Sequence, residues 1–318
     1  MHMKKFLEIG VALLCGSTAG AQDYPLKPIR VITSAPGGSS DFVARLIAQG
    51  ISPALGQQVL IDNRTGATTG GDIVSKSPAD GYTLICWGST FWTLPLMRKS
   101  VPYDPVKDFA PITMSITEPL MLVVHPSLPV KSTRELIALA KSRPGDLNYA
   151  SGGVGSSNHL AAELFKSMAD LRIATVQYRG SGGAVTALLG GEVQLMFSTT
   201  AAVAPHIKSG RLRPLAVTST KPSALAPALP TISASGISGY EASQRAGLLA
   251  PAKTSPNIIR RLHQEVIAVL NKPDVKERFI SHGVEILAST PDEFASMMKS
   301  EMTRMDKVIK DAGIRDDG

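Results

Sequence analysis

The stretch SGGVGSSNHLAAELF, residues 151–165, decides the fold. It follows a short apolar run at 147–150 that reads as a strand, and it opens into a helix expected over 158–168. Two further loops repeat the arrangement: SAPGGSSD at 34–41, behind a strand at 29–33, and YRGSGGA at 178–184, behind a strand at 173–177. Where a strand turns through glycine and serine into a helix, the helix's first backbone N–H groups lack partners. They point forward with the positive end of the helix dipole. Each junction is therefore an anion holder in principle, and none carries the lysine of a phosphate loop. Neutral donors of this kind suit a small carboxylate better than a catalytic centre.

Working outward, strand alternates with helix. A helix from Asp41 puts Phe42, Val43, Leu46, Ile47 and Ile51 on one face. Strands follow at 58–61 and 83–87, the latter entered through a Pro-Ala-Asp-Gly turn at 78–81. An apolar run at 121–124 carries the chain out of this first unit. Ser132 and Glu135 predict a capping box for a helix ending near 142. Strands at 147–150, 173–177, 193–197 and 214–217 are then separated by helices at about 158–168, 183–190 and 201–208, which predicts a largely parallel sheet covered on both faces. Residues 219–240, rich in Pro, Ser, Ala and Gly, read as a connection. Beyond them come a strand at 247–250, helices at about 255–270 and 273–282, and a last helix started by Thr290-Pro291-Asp292-Glu293. Its Phe294, Met297, Met298, Met302, Met305, Val308 and Ile309 read as core filling.

Residues 1–21 read as an export signal, with Lys4 and Lys5, an apolar run centred on 9–14, and Ala19-Gly20-Ala21 as the cleavage site. The run is too short for a permanent anchor, and Leu14 before Cys15 argues against lipid attachment. Cleavage after Ala21 leaves Cys86 as the sole thiol, so no intrachain disulfide forms, and about 300 residues remain for two domains. The net charge of +7 is scattered, with Arg260-Arg261 the densest mature pair, and aromatics are only 5% of the chain. A nucleic-acid surface would cluster its cations and interleave rings, so that partner class is excluded. There is no Gly-x-Ser-x-Gly elbow, and His125, His159, His206, His263 and His282 show no triad-like setting. His159 and Glu163 stand at i, i+4 with no third metal ligand nearby. Catalytic residues, metal and cofactor are all expected to be absent.

Eight segments in order carry a family resemblance: PGGSSD (36–41), DNRTGATTGG (62–71), PADGYTL (78–84), VPYDPVKDFAPI (101–112), SGGVGSSNHLAAELF (151–165), ALLGGEVQLMF (187–197), PHIKSGRLRPLAVTS (205–219) and GLLAPAKTSP (247–256). From Tyr24 to Ile314 the chain resembles the solute-binding proteins of tripartite tricarboxylate transporters, the Bug family. The resemblance implies an α/β, two-lobed periplasmic-binding-protein fold (type II-like), each lobe a mostly parallel sheet flanked by helices. Residues 24–125 plus 236–318 would form one lobe and 126–235 the other. It implies a monomeric periplasmic receptor that delivers a di-, tri- or aromatic carboxylate to a membrane permease. A sensory protein presenting the same ligand to a membrane kinase is a second reading, and an exported hydrolase a remote third.

By the same resemblance, Ser151, Gly155 and Ser156, with Tyr178, Gly180 and Ser181 on the adjacent loop, would grip one carboxylate from the far lobe. Helix capping is the plainer reading of Ser151 and Ser156. His159 would serve the loop's hydrogen bonds. In the near lobe, Gly37, Gly38 and Ser39 would approach the other end of the ligand, with Ser89 from the CWGSTFW segment. Asp41, being acidic, more naturally caps the helix and orders its loop. Ser198 stands where family members commonly carry aspartate, and Arg245 near a common tryptophan. Arg245 would then either pair with a second ligand carboxylate or lie solvated at the lobe edge. Trp87 and Trp92 would form either a flat apolar wall favouring an aromatic or long-chain acid, or part of the core.

Overall fold

The computed structural model describes residues 24–37 and 39–315; residues 1–23, on which the expected export signal falls, Gly38 and 316–318 lie outside them. The first passage of the chain forms β1 (Ile29–Thr33), α1 (Ser39–Leu55), β2 (Val59–Asn63), α2 (Ala67–Ser75), β3 (Thr83–Gly88), α3 (Thr90–Met97) and β4 (Phe109–Glu118). The second forms β5 (Leu120–Val124), α4 (Thr133–Ser142), β6 (Asn148–Ser151), α5 (Ser157–Ala169), β7 (Ala174–Gln177), α6 (Ser181–Leu189), β8 (Leu195–Thr199), α7 (Thr200–Lys208) and β9 (Arg213–Val217). The last forms β10 (Gln244–Pro251), α8 (Pro256–Leu270), α9 (Pro273–Ser281), β11 (Glu285–Ile286) and α10 (Pro291–Asp311).

Two sheets result, ordered β11-β4-β10-β3-β1-β2 and β7-β6-β8-β5-β9. Strands joined through a helix pair in parallel, β1 with β2 and β3, and β6 with β7 and β8, because a helical crossover returns the chain to the same end of the sheet. Each sheet also takes one strand that arrives directly from the other. β5 runs antiparallel to β8 and β9, and β10 antiparallel to β3 and β4. Both sheets thus follow one plan, in which most strands run one way and a returning strand is inserted against them.

Residues 120–124, which the sequence reading left in the first lobe, are the inserted strand of the second sheet. All five are buried, with hydrogen-bonded neighbours on both sides. An unbroken Leu-Met-Leu-Val-Val run has no face to offer water and needs cover above and below. Helix α10 also departs from a one-lobe assignment. Its Phe294 and Met298 pack with Trp92 and Met114 in the core beside the first sheet. Its Met305, Val308 and Ile309 join Leu160 and Leu164 in the core of the second.

A buried ionic cluster fastens this helix to the returning crossover. The Arg245 side chain, 9% exposed, donates through one terminal nitrogen to Glu301 at 3.2 Å and through the other to Glu241. Arg304 also donates to Glu241, and the Trp92 indole N–H donates to Glu301, each at 3.2 Å. Removing one partner of such a cluster leaves an uncompensated charge in the interior, at a cost of about 3–5 kcal/mol. Glu301→Ala is therefore expected to lower the urea-unfolding free energy by about 3 kcal/mol. Adding Arg245→Met should restore part of that loss, and additive losses in the double variant would contradict the coupling.

Candidate functional site

Between the two sheets lie two adjoining cavities that share Trp87 and Thr90 in their walls. The smaller, about 180 Å³, is reached by Ser39 at the start of α1, Ser89 and Thr90 at the start of α3, Ser157 at the start of α5, and Glu301 and Arg304 of α10. The larger, about 600 Å³, is bounded by the start of α2 from Gly66 to Thr69, by Arg98, and by the loop from Gly152 to Ser156. Four helices, three from one side and α5 from the other, thus begin at this cleft. In α2, α3 and α5 the N-cap residue makes no side-chain hydrogen bond to the first turn, although in α5 Asn158 Oδ1 accepts from the His159 N–H. In contrast, α4 is capped by Ser132, and α10 carries a complete capping box of Thr290 and Glu293. Free N–H groups are left where a ligand could use them.

On the near side, Asp41 is 4% exposed and works inward. Its carboxylate accepts from the Gly37 N–H (3.0 Å), Arg45 Nε (3.0 Å) and Asn63 Nδ2 (2.7 Å), and Asn63 Nδ2 also donates to the Ser34 carbonyl (2.6 Å). Burial alone would raise the carboxyl, but the Arg45, Asn63 and Gly37 donors outweigh it and hold it below the ordinary carboxylate value. Asp41 therefore orders the loop, as its charge suggests. Ser39 Oγ donates to Glu118 Oε2 at 3.1 Å. Glu118 lies at the end of β4, where the chain changes sheets, and is 3% exposed. Burial pushes its carboxyl up to about 6 despite the Ser39 hydrogen bond.

On the far side, the loop after β6 is held by its own helix. Gly155 adopts φ +70°, a left-handed conformation that favours glycine, and packs against the end of the Met97 side chain. Its N–H donates to His159 Nδ1 at 3.0 Å. Burial keeps His159 below the ordinary imidazole range against the opposing pull of Glu163, so the neutral ring remains an acceptor. Glu163 is itself held by the Tyr149 hydroxyl (2.6 Å), Lys166 (2.7 Å) and Thr175 (3.2 Å). Ser151 and Ser156 both donate to the Gly153 carbonyl, at 3.1 and 2.6 Å. Among the described residues no group of three or more His, Cys, Asp or Glu is placed to hold a metal ion.

The third junction lies behind the second. The Tyr178 N–H bonds the Ser151 carbonyl at 2.8 Å and the Gly180 N–H the Gly152 carbonyl at 3.0 Å. Neither Gly180 nor Ser181 lines the two cavities, Gly37 stands back from both, and the Tyr178 hydroxyl turns to Glu192 at 3.3 Å. The Ser198 hydroxyl at the end of β8 is buried without a partner. So is the Nδ2 of Asn158, a residue the sequence reading passed over although it sits inside SSNH; its Oδ1 accepts from the His159 N–H at 3.0 Å. Arg245 is neither solvated at a lobe edge nor free for a ligand, because both terminal nitrogens are taken by Glu241 and Glu301. The two tryptophans part company: Trp87 lines the cleft, while Trp92 is wholly buried in the core.

Two helix-flanked sheets with a cleft of uncapped helix starts between them define a solute-binding protein of the periplasmic-binding-protein fold. The chain belongs to the tripartite tricarboxylate transporter family receptors, whose model matches residues 43–314. Protein BugT of Bordetella pertussis is 36% identical, over 99% of this chain and 99% of its own. The structure of R. palustris Rpa4515 with adipate is 35% identical, covers 92% of this chain and 99% of its own, and superposes with a TM-score of 0.76. MatC from Rhodopseudomonas palustris with bound malate is 27% identical, covers 90% of this chain and 100% of its own, with a TM-score of 0.73. These relatives are binding proteins and receptors, not enzymes, and the family is periplasmic.

The Glu118 carboxyl gives a pH test. Its folded value of about 6 lies above the ordinary 4.5, so burying the charge costs nothing below about pH 4.5, and the cost is complete above about pH 6. Glu118→Gln keeps an acceptor for Ser39 and removes the charge. It should stabilise the protein by on the order of 2 kcal/mol at pH 8, with the advantage vanishing by pH 4. Thermal melts across that range check it, and a pH-independent difference would contradict it.

Proposed function

We propose that this chain, exported and cleaved after Ala21, captures a small carboxylate in the cleft and presents it to the membrane permease of a tripartite transporter, acting as a monomer. The observation that carries the reading is the convergence of helix starts without an N-cap hydrogen bond from both sides of the cleft, with the unpartnered Asn158 amide next in sequence to Ser156 and Ser157, which line it. Adipate and malate in two related structures are carboxylates of the expected size.

Hydrogen bonds to a charged group contribute roughly 1.5–3 kcal/mol each. Three to five of them, after the cost of association, give about micromolar affinity. The first-turn N–H groups of α2 and α3 and the Ser89 hydroxyl would donate from the near lobe, and the Asn158 amide and Ser198 hydroxyl from the far one as the lobes close. Ser39, Ser151, Gly155 and Ser156, whose own hydrogens go to Glu118, the Gly153 carbonyl and His159, would shape the walls. Asp41 and His159 would hold the two loops in shape. Tyr178, Gly180 and Ser181 would reach the ligand as the lobes close, since only the closed form satisfies both sets of donors. Gly38 belongs with the near loop by sequence.

A panel of mono-, di- and tricarboxylates screened by thermal shift on the processed chain tests this, with at least one acid expected to raise the melting temperature by several degrees. The acid that binds should also change the tryptophan emission. Trp87→Phe should abolish that change and Trp92→Phe should leave it. Stabilisation by amines or sugars but by no acid would sink the proposal.

A further inference from the structure

The smaller cavity narrows the ligand class further, resting on the carboxylate reading above. Its apolar wall is Trp87, Leu160 and Met305, and its charged groups are Glu301 and Arg304. At about 180 Å³ it exceeds the roughly 150 Å³ apolar cavity that admits benzene, so a six-membered ring fits. Thr90 borders both cavities, with Ser156 in one wall and Ser157 in the other. An acid group at the starts of α3 and α5 would therefore leave the body of its molecule directed into this space.

The charges around that space are already in balance. Glu301 receives Arg245 and Trp92, while Glu241 receives Arg245 and Arg304. Two carboxylates thus answer two guanidinium groups, and Glu118 behind Ser39 adds a further carboxylate on the near side. A second ligand carboxylate in this space would lie beside Glu301, and among the described residues that line it Arg304 is the one cation and is already engaged by Glu241, an arrangement that like-charge repulsion disfavours. Hydrogen-bonding capacity nevertheless remains. Arg304 has a buried Nε with no partner, and Glu301 Oε2 takes both of its recorded donors. A carboxylate can only accept and an ammonium can only donate, whereas a hydroxyl does both. We infer that the preferred ligand is a monocarboxylate with a ring-sized body and a hydroxyl at its far end, read by Glu301 and Arg304, and that a second carboxylate at that end is rejected.

The test varies one substituent on one ring. Benzoate, 4-hydroxybenzoate and terephthalate, with adipate and malate alongside, are titrated calorimetrically into the processed chain at pH 7.5. We expect 4-hydroxybenzoate to bind at least tenfold tighter than benzoate, and terephthalate to bind more weakly than either. Arg304→Gln, checked for folding by circular dichroism, should erase the gain from the hydroxyl while leaving benzoate within threefold of its original affinity. Equal binding of benzoate and 4-hydroxybenzoate, or tighter binding of terephthalate, adipate or malate, overturns the inference and leaves the carboxylate reading standing. Failure of every acid to bind overturns both. The comparison of ligands on the unaltered protein decides the matter even if the Arg304 variant does not fold.

Discussion

A helix that starts without a side-chain cap leaves backbone N–H groups that something else must satisfy. In this protein α2, α3 and α5 begin that way, and they begin at one cleft. The strand order accounts for the convergence. In both sheets the helices follow the carboxyl ends of parallel strands, and the inserted strands β5 and β10 bring those ends to face each other. Helices α6 and α7 also start without a side-chain cap, whereas four others that begin away from the cleft deal with their first turn locally. Ser132 caps α4, Thr290 caps α10, and proline at the start of α8 and α9 removes one donor outright.

Full charges serve a different purpose. Arg45 is engaged by Asp41, Lys166 by Glu163, and Arg245 and Arg304 by Glu241 and Glu301. Each group fixes an element that borders the cleft: the near loop, the first turns of α5, and the junction of the returning crossover with α10. Ionic interactions thus hold the frame, and helix starts without an N-cap hydrogen bond face the cleft. A frame of this kind can hinge without exposing an unpaired charge, because each cluster closes within itself.

The legible part of the chain was the part with period and punctuation. Strand–helix alternation across 147–217, the Ser132 and Thr290 caps and the apolar face of α10 were all readable. Short strand β11 was not, and neither were three longer elements. Helix α2 contains Gly70 and Gly71, poor helix formers present because a Cβ would meet the Trp87 ring at 2.9 Å and the Tyr103 ring at 2.3 Å. Helix α3 contains Pro95 and is apolar nearly all round, which hides its period. Strand β4 carries Pro111 and a mix of Thr and Ser that reads as loop. At the cleft, the glycine- and serine-rich loops could be seen in advance, but the pairing of Arg245 could not, since Glu301 stands 56 residues away. One signal was available: Glu301 interrupts the otherwise apolar series Phe294, Met298, Met305 and Val308 on the inner face of α10. A carboxylate in such a stripe needs a buried cation.

The central claim is that backbone N–H groups at the helix starts hold the acid. Amide proton and nitrogen shifts, followed by NMR during titration with a carboxylate that binds, report on it most directly. The largest downfield movements are expected at the first turns of α2, α3 and α5, around Thr68, Thr90 and Ser157. If those amides stay still while arginine or lysine side-chain signals move instead, the acid is held by cations and the claim is wrong.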